Sequence, residues 1–207
     1  MGRLRARPIG VVLAGGTSSR MGRDKARLLL DGEPLVARAA ALLAAVCLEV
    51  VVADRGRGLL PGLASLPDGP GRGPAAGLLG AARVFPGRSL LALACDLPLI
   101  PRALLEDLAR TKSVDWAVPR RGGRLEPLCA LYTPRALAAL EVRIARGEFA
   151  LHRLAEEDLA VRTLEEPDLA RFGQPEKMLL NVNAPEDLER LREMGVKIIE
   201  DPRGEAS

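Results

Sequence analysis

Short apolar runs alternate with helix-length segments along most of the chain, and this alternation constrains the fold more than any other feature. Residues 9–14 (IGVVLA), 48–54 (LEVVVAD) and 89–96 (SLLALACD) are short and aliphatic, which is typical of buried strands. Segments with helical spacing lie at 34–46 and 101–110, each with a proline at its start. The alternation predicts βαβ units, and hence a three-layer α/β fold with a mostly parallel sheet flanked by helices.

The second half of the chain continues the pattern. Further strands are predicted at 115–119, 128–132 and, as an edge strand, 159–164, and further helices at 134–147, around 149–157 and within 181–195. A charged turn, RRGGR, separates the first two of these strands. The tail from about residue 201 is expected to be disordered.

Composition excludes several classes of protein. The chain has 207 residues, enough for one substantial domain, and no apolar run approaches the roughly 18 residues of a membrane span. The net charge of +3 and the five aromatic residues argue against nucleic-acid binding. Cys47, Cys95 and Cys129 are odd in number and far apart, which argues against a disulfide framework and for a reducing cytoplasm.

The loop after the first predicted strand, residues 13–26 (LAGGTSSRMGRDKA), combines glycines, small hydroxyls and basic side chains. It is not a Walker A loop, because Lys25 is followed by alanine, and its glycines lack the dinucleotide-binding spacing. Gly15 and Gly16 nevertheless let the backbone approach a polyphosphate, and Arg20 and Lys25 can neutralise its oxygens. The loop therefore predicts phosphate binding, the alternative being an ordinary turn with solvated charges.

Asp96 ends the third predicted strand, where a carboxylate is either exposed at the strand end or a costly buried charge. Mg²⁺ shared with nucleotide phosphates would offset that cost. Capping of the helix that begins at Pro101 is the alternative, but Asp96 lies several residues too early for it. Because ligands of such folds bind at the carboxyl ends of the strands, Asp96 and the loop at 13–26 are expected at one edge.

Two further segments are candidates for binding. The loop at 67–77 (PDGPGRGPAAG) is expected to follow the second strand directly and to present backbone amides to a nucleobase, although a plain loop-to-helix junction has the same composition. Asn181 and Asn183 precede the last predicted helix and share one face of an extended segment. Asn183 is suited to capping that helix, whereas Asn181 has no such structural explanation.

Leu13 to Lys25 match the signature loop of the molybdenum cofactor guanylyltransferases, which carry Leu-Ala-Gly-Gly followed by x-Ser-x-Arg-Met-Gly-x-Asp-Lys. GPAAG (73–77) resembles the family's Gly-Pro-Leu-Ala-Gly, and CDLPLIP (95–101) its Cys-Asp-x-Pro segment. EPLCALY (126–132) resembles Gln-Pro-Leu-x-Ala-Leu-Tyr, and NVNAPEDL (181–188) resembles Asn-x-Asn-Thr-Pro-Glu-Asp-Leu. The resemblance runs in order over most of the chain, with alanine replacing leucine in the second motif and threonine in the last.

The resemblance implies an enzyme that transfers GMP from GTP to the terminal phosphate of molybdopterin and releases pyrophosphate, with Mg²⁺ as cofactor. By motif position, the residues implied to bind the nucleotide are Leu13, Ala14, Gly15, Gly16, Lys25, Asp68, Gly73, Gly77 and Asp96. Arg20, Lys25 and Asp96 would be catalytic, with Asp96 as the metal ligand. Asn181 and Asn183 would face the acceptor phosphate or the metal. Since the attacking group is a phosphate, catalysis would rest on positioning and charge neutralisation.

The resemblance also suggests how the chain is divided. Residues 1–207 would form one nucleotidyltransferase domain, with a nucleotide-binding half at about 8–100, an acceptor-binding half at about 101–195 and a disordered tail at 201–207. Proteins that deliver or receive the cofactor are candidate partners besides GTP and molybdopterin. Asp24 fits the family pattern, and pairing with Arg20 or Arg23 is the role considered for it.

Three other functions are open at this point. A cytidylyltransferase acting on the same pterin would carry alanine at the position of Gly15 and would lack the 73–77 segment. A sugar-phosphate nucleotidyltransferase would need sugar-binding segments, for which 207 residues leave little room. A nucleotide-binding module without catalysis would be expected to lose the residues that stand here as Arg20, Lys25 and Asp96.

Overall fold

The computed structural model describes residues 7–15, 28–183, 185–196 and 198–199. Its strands are β1 (Ile9–Leu13), β2 (Leu29–Leu30), β3 (Glu33–Pro34), β4 (Glu49–Ala53), β5 (Ala64–Leu66), β6 (Leu90–Ala94), β7 (Trp116–Arg121), β8 (Arg124–Leu125), β9 (Cys129–Tyr132), β10 (Val161–Leu164) and β11 (Ile198–Ile199). Its α-helices are α1 (Leu35–Ala44), α2 (Gly73–Val84), α3 (Arg102–Arg110), α4 (Pro134–Ala145), α5 (Glu166–Leu169), α6 (Pro175–Met178) and α7 (Pro185–Glu193). A 3-10 helix covers Leu151–Glu156, where a short helix was predicted.

One main sheet has the strand order β10-β7-β9-β6-β1-β4-β5, with β8 paired to β7. The pairs β10/β7, β6/β1, β1/β4 and β4/β5 are parallel, whereas β9 runs antiparallel to β6 and to β7. The predicted α/β fold, with a mostly parallel sheet flanked by helices, is confirmed. The reversed direction of β9 has a consequence for the site, because the residues that precede β9 lie at the carboxyl ends of its neighbours.

The central strands are buried along their whole length or nearly so. Every residue of β1 and β6 is buried, as is β4 from Val50 onwards. Helix α1 packs closely on β1 at Gly10, where a Cβ would lie 3.0 Å from Cβ of Leu43 and 3.1 Å from Sγ of Cys47. A sheet covered on both faces requires strands of continuous apolar residues, and this is why the three runs stand out in the sequence.

Several short strands were not predicted. The chain forms β5 after β4, so the 67–77 loop follows β5 and not the second predicted strand, which corrects the expected order. A small separate sheet joins β11, β2 and β3. The predicted charged turn is a β-hairpin between β7 and β8, in which Gly122 and Gly123 both have positive φ. Strands of two or three residues are too short for hydrophobic periodicity to reveal.

The only tryptophan and the only tyrosine of the chain lie side by side in the core. Trp116 on β7 and Tyr132 on β9 are register partners, with ring centroids 5.9 Å apart and no exposed surface. The hydroxyl of Tyr132 donates a hydrogen bond of 2.7 Å to the carbonyl oxygen of Pro127. This bond ties the end of β9 to the turn that precedes it.

The three cysteines behave as expected from their spacing. Cys47, Cys95 and Cys129 are all buried, and none forms a disulfide. Burial raises the pKa of Cys47 to about 12, so its thiol stays protonated at neutral pH. In the part of the chain that the structure describes, no helix has the length and apolar character needed to cross a membrane.

Candidate active site

Neighbouring parallel strands bring three polar segments to one edge of the main sheet. The carboxyl ends of β1, β4, β5 and β6 lie together there, because these strands are parallel and adjacent. β1 leads into the predicted phosphate loop, β5 into the loop at 67–72, and β6 into Asp96. Ligands of open α/β sheets bind at such an edge, so it is the candidate active site.

The described start of the phosphate loop, residues 13–15, is fixed by hydrogen bonds. The backbone N–H of Ala14 donates to the carbonyl of Ala53 at 3.1 Å, and Nη2 of Arg57 donates to the carbonyl of Ala14 at 2.6 Å. These bonds determine where the loop leaves the sheet. Nucleotide contacts by residues 13–15 stay predictions, and the remaining loop candidates lie outside the described residues: Gly16, Arg20, Asp24 and Lys25.

Asp54 follows β4 directly and is fully buried. Its carboxylate accepts hydrogen bonds from the backbone N–H of Gly56 (3.1 Å), the backbone N–H of Leu59 (2.8 Å) and the hydroxyl of Ser65 (2.5 Å). Burial acts to raise the pKa of Asp54, but the hydrogen bonds outweigh burial and hold the pKa below its usual range. The ionised carboxylate therefore fixes the β4–β5 loop beside the phosphate loop.

Arg55 extends from the β4–β5 loop towards the phosphate loop. Its φ of 65° lies in the left-handed region, which residues other than glycine rarely adopt. Nε of Arg55 lies 3.2 Å from Oδ2 of Asp68, and 3.7 Å from the position that a Cβ would have at Gly15. Arg55 thus brings Asp68, the predicted nucleotide-binding acid, to the side of the phosphate loop.

Helix α2 carries Gly73 and Gly77, whose surroundings differ. Gly77 packs against the sheet, where a Cβ would lie 3.1 Å from Cβ of Ala53 and 3.4 Å from Cδ2 of Leu13. Gly73 begins the helix with a φ of 59° and has open space where a Cβ would stand. Close packing alone accounts for the glycine at 77, whereas position 73 is accessible to a ligand. The predicted nucleotide contacts of both residues stay predictions.

Asp96 and Glu126 lie near each other where β6 ends and β9 begins. The carbonyl of Leu128 accepts the backbone N–H of Ala94 at 2.8 Å, and beyond this bond both segments turn away from the ladder. The charge of Asp96 is one of the causes that raise the pKa of Glu126, so the two carboxyl groups are close enough to interact.

Asn181 completes this group, which we call the Asp96 cluster: Asp96, Glu126 and Asn181. Nδ2 of Asn181 donates to Oε2 of Glu126 at 3.3 Å, and the backbone N–H of Val182 donates to the carbonyl of Asp96 at 2.8 Å. Burial is the main cause that raises the pKa of Glu126, and the charge of Asp96 raises it further. The hydrogen bond from Asn181 opposes this shift without cancelling it. The cluster thus brings two carboxyl groups and one amide together.

Asn183 differs from Asn181 in exposure. Its backbone N–H donates to Oδ2 of Asp187 at 2.8 Å, and its side chain is exposed. The predicted helix is present as α7 but begins at Pro185, so Asn183 lies two residues before it. The structure therefore brings Asn181 into the Asp96 cluster, whereas the side chain of Asn183 is exposed. The role predicted for Asn183 in acceptor binding stays a prediction.

The donor atoms of the Asp96 cluster suit Mg²⁺, which prefers carboxylate and amide oxygens. Within the described ranges, no three His, Cys, Asp or Glu residues are grouped so that they could hold a metal ion. A site with few protein ligands is compatible with Mg²⁺, because this ion usually keeps several waters and binds substrate phosphates.

Comparisons with known proteins agree with this geometry. The family model of the MobA-like NTP transferase domain matches residues 10–161. A probable molybdenum cofactor guanylyltransferase from Pelotomaculum thermopropionicum is 34% identical over 197 residues, covering 89% of this chain and 92% of that protein. The molybdenum cofactor guanylyltransferase of Rhizobium meliloti is 36% identical over 214 residues, covering 94% of each chain. This chain belongs to the molybdenum cofactor guanylyltransferase family.

A solved structure supports the assignment of this guanylyltransferase family member. Molybdopterin-guanine dinucleotide biosynthesis protein A from Archaeoglobus fulgidus superposes with a TM-score of 0.76 at 25% identity, covering 90% of this chain and 98% of that one. The family resemblance read from the sequence is confirmed, and the chain is a nucleotidyltransferase. The cytidylyl, sugar-phosphate and non-catalytic alternatives are not favoured.

Sequence reasoning missed three residues of this guanylyltransferase: Asp54, Arg55 and Glu126. Asp54 was placed at the end of a predicted strand without a role, and its donors become visible only when the β4–β5 loop folds around it. For Arg55, the only indication in the sequence is that a basic residue directly follows a predicted strand. Glu126 belongs to a recognised motif, but its nearness to Asp96 arises only when β9 pairs with β6.

Proposed function

We propose that this guanylyltransferase transfers GMP from GTP to the terminal phosphate of molybdopterin and releases pyrophosphate. The observation that carries the proposal is that the start of the phosphate loop (residues 13–15), the 67–72 loop and the Asp96 cluster lie at one edge of the sheet. This supports a site in which the basic, glycine-rich loop binds the phosphates and the carboxyl groups of the Asp96 cluster bind a cation. The choice of a guanine nucleotide and of molybdopterin as the acceptor follows the names of the relatives.

Triphosphate binding is assigned to the phosphate loop. Gly15 and Gly16 would let backbone N–H groups reach phosphate oxygens, and Arg20 and Lys25 would neutralise their charge. Arg55, held beside Gly15, adds positive charge to the same side of the site. Asp68, held by Arg55, and the open start of α2 at Gly73 would contact the nucleoside.

Asp96 would hold Mg²⁺, together with phosphate oxygens and waters. When bound, this ion would neutralise charge that develops on the phosphates during transfer. The acceptor would lie against Asn181 and Asn183, with its phosphate directed at the α-phosphate of GTP. The protein needs no nucleophile of its own, since the acceptor phosphate attacks directly and the side chains position the reactants. We place this activity in the cytoplasm, in keeping with three buried thiols.

The test is a pyrophosphate-release assay on the purified protein with Mg²⁺. Release is expected with GTP plus molybdopterin and not with GTP alone. Replacing GTP by CTP, UTP or ATP at equal concentration should reduce the rate strongly. Release with CTP at the rate seen with GTP would overturn the guanylyl assignment, and release that does not depend on molybdopterin would overturn the acceptor.

A further inference from the structure

Asn181 and Glu126 are joined by a hydrogen bond between segments that are remote in the sequence. The bond, 3.3 Å from Nδ2 to Oε2, links the turn before β9 to the extended segment before α7. The backbone of Glu126 is itself held on both sides. Its N–H donates to the carbonyl of Pro119 at 2.8 Å, and its carbonyl accepts from the N–H of Cys129 at 3.1 Å. Glu126 is therefore a fixed point for Asn181.

An asparagine amide has two different ends, and its orientation decides what it can bind. In the structure Nδ2 of Asn181 faces Oε2 of Glu126, which accepts its hydrogen bond. The opposite orientation would place two acceptor oxygens against each other. Oδ1 of Asn181 is thereby turned away from Glu126. The hydrogen bond from the N–H of Val182 to the carbonyl of Asp96 fixes the adjacent backbone. The main freedom that Asn181 retains is therefore rotation of its side-chain amide.

We propose that Glu126 is a positioning residue that fixes the amide of Asn181 so that Oδ1 accepts a hydrogen bond from a donor group of the acceptor molecule. This inference rests on the proposed function, because the acceptor role of Asn181 belongs to it. Glu126 itself makes no contact with the acceptor. It acts through Asn181, and its removal is expected to weaken acceptor binding and leave nucleotide binding unchanged.

The test is a double-mutant cycle with Glu126→Ala, Asn181→Ala and the double variant. Each single change should raise the KM for molybdopterin about tenfold while the KM for GTP stays within about twofold. The double variant should be no worse than Asn181→Ala alone, because Glu126 acts only through Asn181. Glu126→Gln, whose carbonyl oxygen can still accept from Nδ2, should restore the KM to within about threefold of wild type.

A reciprocal exchange covers the case in which Glu126→Ala fails to fold. Asn181→Asp places a carboxylate against Glu126 and should impair molybdopterin binding, whereas adding Glu126→Gln restores a donor–acceptor pair and should recover part of it. Glu49 is an exposed acid at the end of β4 that lies away from the candidate active site. Glu49→Gln is therefore the matched control and should leave the KM for molybdopterin and the KM for GTP unchanged. The inference would be overturned if the two single changes multiplied in their effect on the KM for molybdopterin. It would also be overturned if the KM for GTP rose equally, or if Glu126→Gln recovered no binding in the Asn181→Asp variant.

Direct calorimetry of molybdopterin binding separates this inference from the proposed function. Wild-type protein that binds no molybdopterin would overturn both. Wild-type binding with Glu126→Ala and Asn181→Ala unchanged would overturn the positioning role alone. Binding weakened about tenfold in both variants, with wild-type thermal midpoints, is the expected result.

Discussion

Asp54 and Glu126 lie at the same edge of the sheet, but their environments shift their pKa values in opposite directions. Asp54 is enclosed by backbone and hydroxyl donors from its own loop, and its pKa is lowered. Burial and the charge of Asp96 raise the pKa of Glu126, and the hydrogen bonds from the amide of Asn181 and the backbone N–H of Leu128 do not cancel this shift. Hydrogen bonds within the fold thus stabilise the ionised form of Asp54, whereas burial and a neighbouring charge destabilise the ionised form of Glu126.

This difference indicates that Asp54 stabilises the fold, whereas Glu126 belongs to the candidate active site. A carboxylate surrounded by donors stabilises the folded chain and has little left to offer a ligand. The charge of one carboxylate destabilises the ionised form of its neighbour, and such an arrangement is characteristic of positions that bind a cation or a substrate. The contrast predicts that mutations on the β4–β5 loop act on stability and that mutations in the Asp96 cluster act on turnover.

The largest effect is expected for Asp96→Asn. Asparagine keeps the size of the side chain but removes the charge proposed to hold Mg²⁺, so kcat should fall at least about 100-fold. The thermal midpoint should stay close to that of wild type. Turnover above a tenth of the wild-type value would show that Asp96 is not the principal metal ligand. Steady-state pyrophosphate release measures the rate, and thermal denaturation followed by circular dichroism measures the stability.

Asp54→Asn should have the reverse profile. The new NH₂ group would face a backbone N–H or the hydroxyl that now donates to the carboxylate, so the free energy of unfolding should fall by about 2–3 kcal/mol. Urea denaturation measures this change, with Glu49→Gln, which alters an exposed acid at the start of β4, as the control. Activity at a temperature where the variant is folded should stay within about threefold of wild type. A loss of activity larger than the lost stability explains would contradict a purely structural role for Asp54.

The stability difference between wild type and Asp54→Asn should depend on pH. The folded-state pKa of Asp54 is below the unfolded value of about 4. Between these two values the unfolded chain binds more protons, so the contribution of Asp54 is complete above about pH 4 and is lost as the pH falls through the folded pKa. Urea midpoints of both proteins from pH 7 down to 3 should therefore converge. A constant difference over this range would be inconsistent with a lowered pKa.

The smallest effect is expected for Glu126→Gln, in metal-free buffer. The folded-state pKa of Glu126 is raised, so wild type loses stability as the pH rises from about 4 through the folded value. Above that value the variant does not have the free-energy cost of ionising a buried carboxyl next to Asp96, and it should be more stable than wild type by up to about 1 kcal/mol. The gain should disappear below about pH 4. A loss of stability at neutral pH would mean that Glu126 is compensated like Asp54.

The main strands and helices could be predicted from the sequence, because β1, β4 and β6 are continuous apolar runs and the long helices have clear periodicity. The direction of β9 is also implied by the sequence, because residues 120–127 are too few for the crossover that a parallel pair of strands would need. The nearness of Glu126 to Asp96 is not, since it depends on β9 pairing with β6, which is remote in the sequence. Asp96 itself was identified, because an acid directly after an apolar run is unusual.

The 67–77 loop shows a different limit. Its glycines were interpreted as a surface for a nucleobase, and the structure reveals that close packing on Ala53 and Leu13 explains Gly77 without a ligand. Composition alone does not distinguish a glycine needed for packing from one needed for binding. The intervening strand β5 has only three residues, and neither it nor the loop that Asp54 organises has a periodic signal.

The adjacent Trp116 and Tyr132 give this protein a built-in optical probe. Because the chain has a single indole and that indole is fully buried between β10 and β9, all tryptophan emission arises from one apolar position in the sheet. The tyrosine ring 5.9 Å away is near enough to transfer its excitation to the indole. Unfolding would separate the pair and expose the indole to water, so emission would shift to longer wavelength while tyrosine emission appears. The integrity of the sheet can thus be followed in the unlabelled protein.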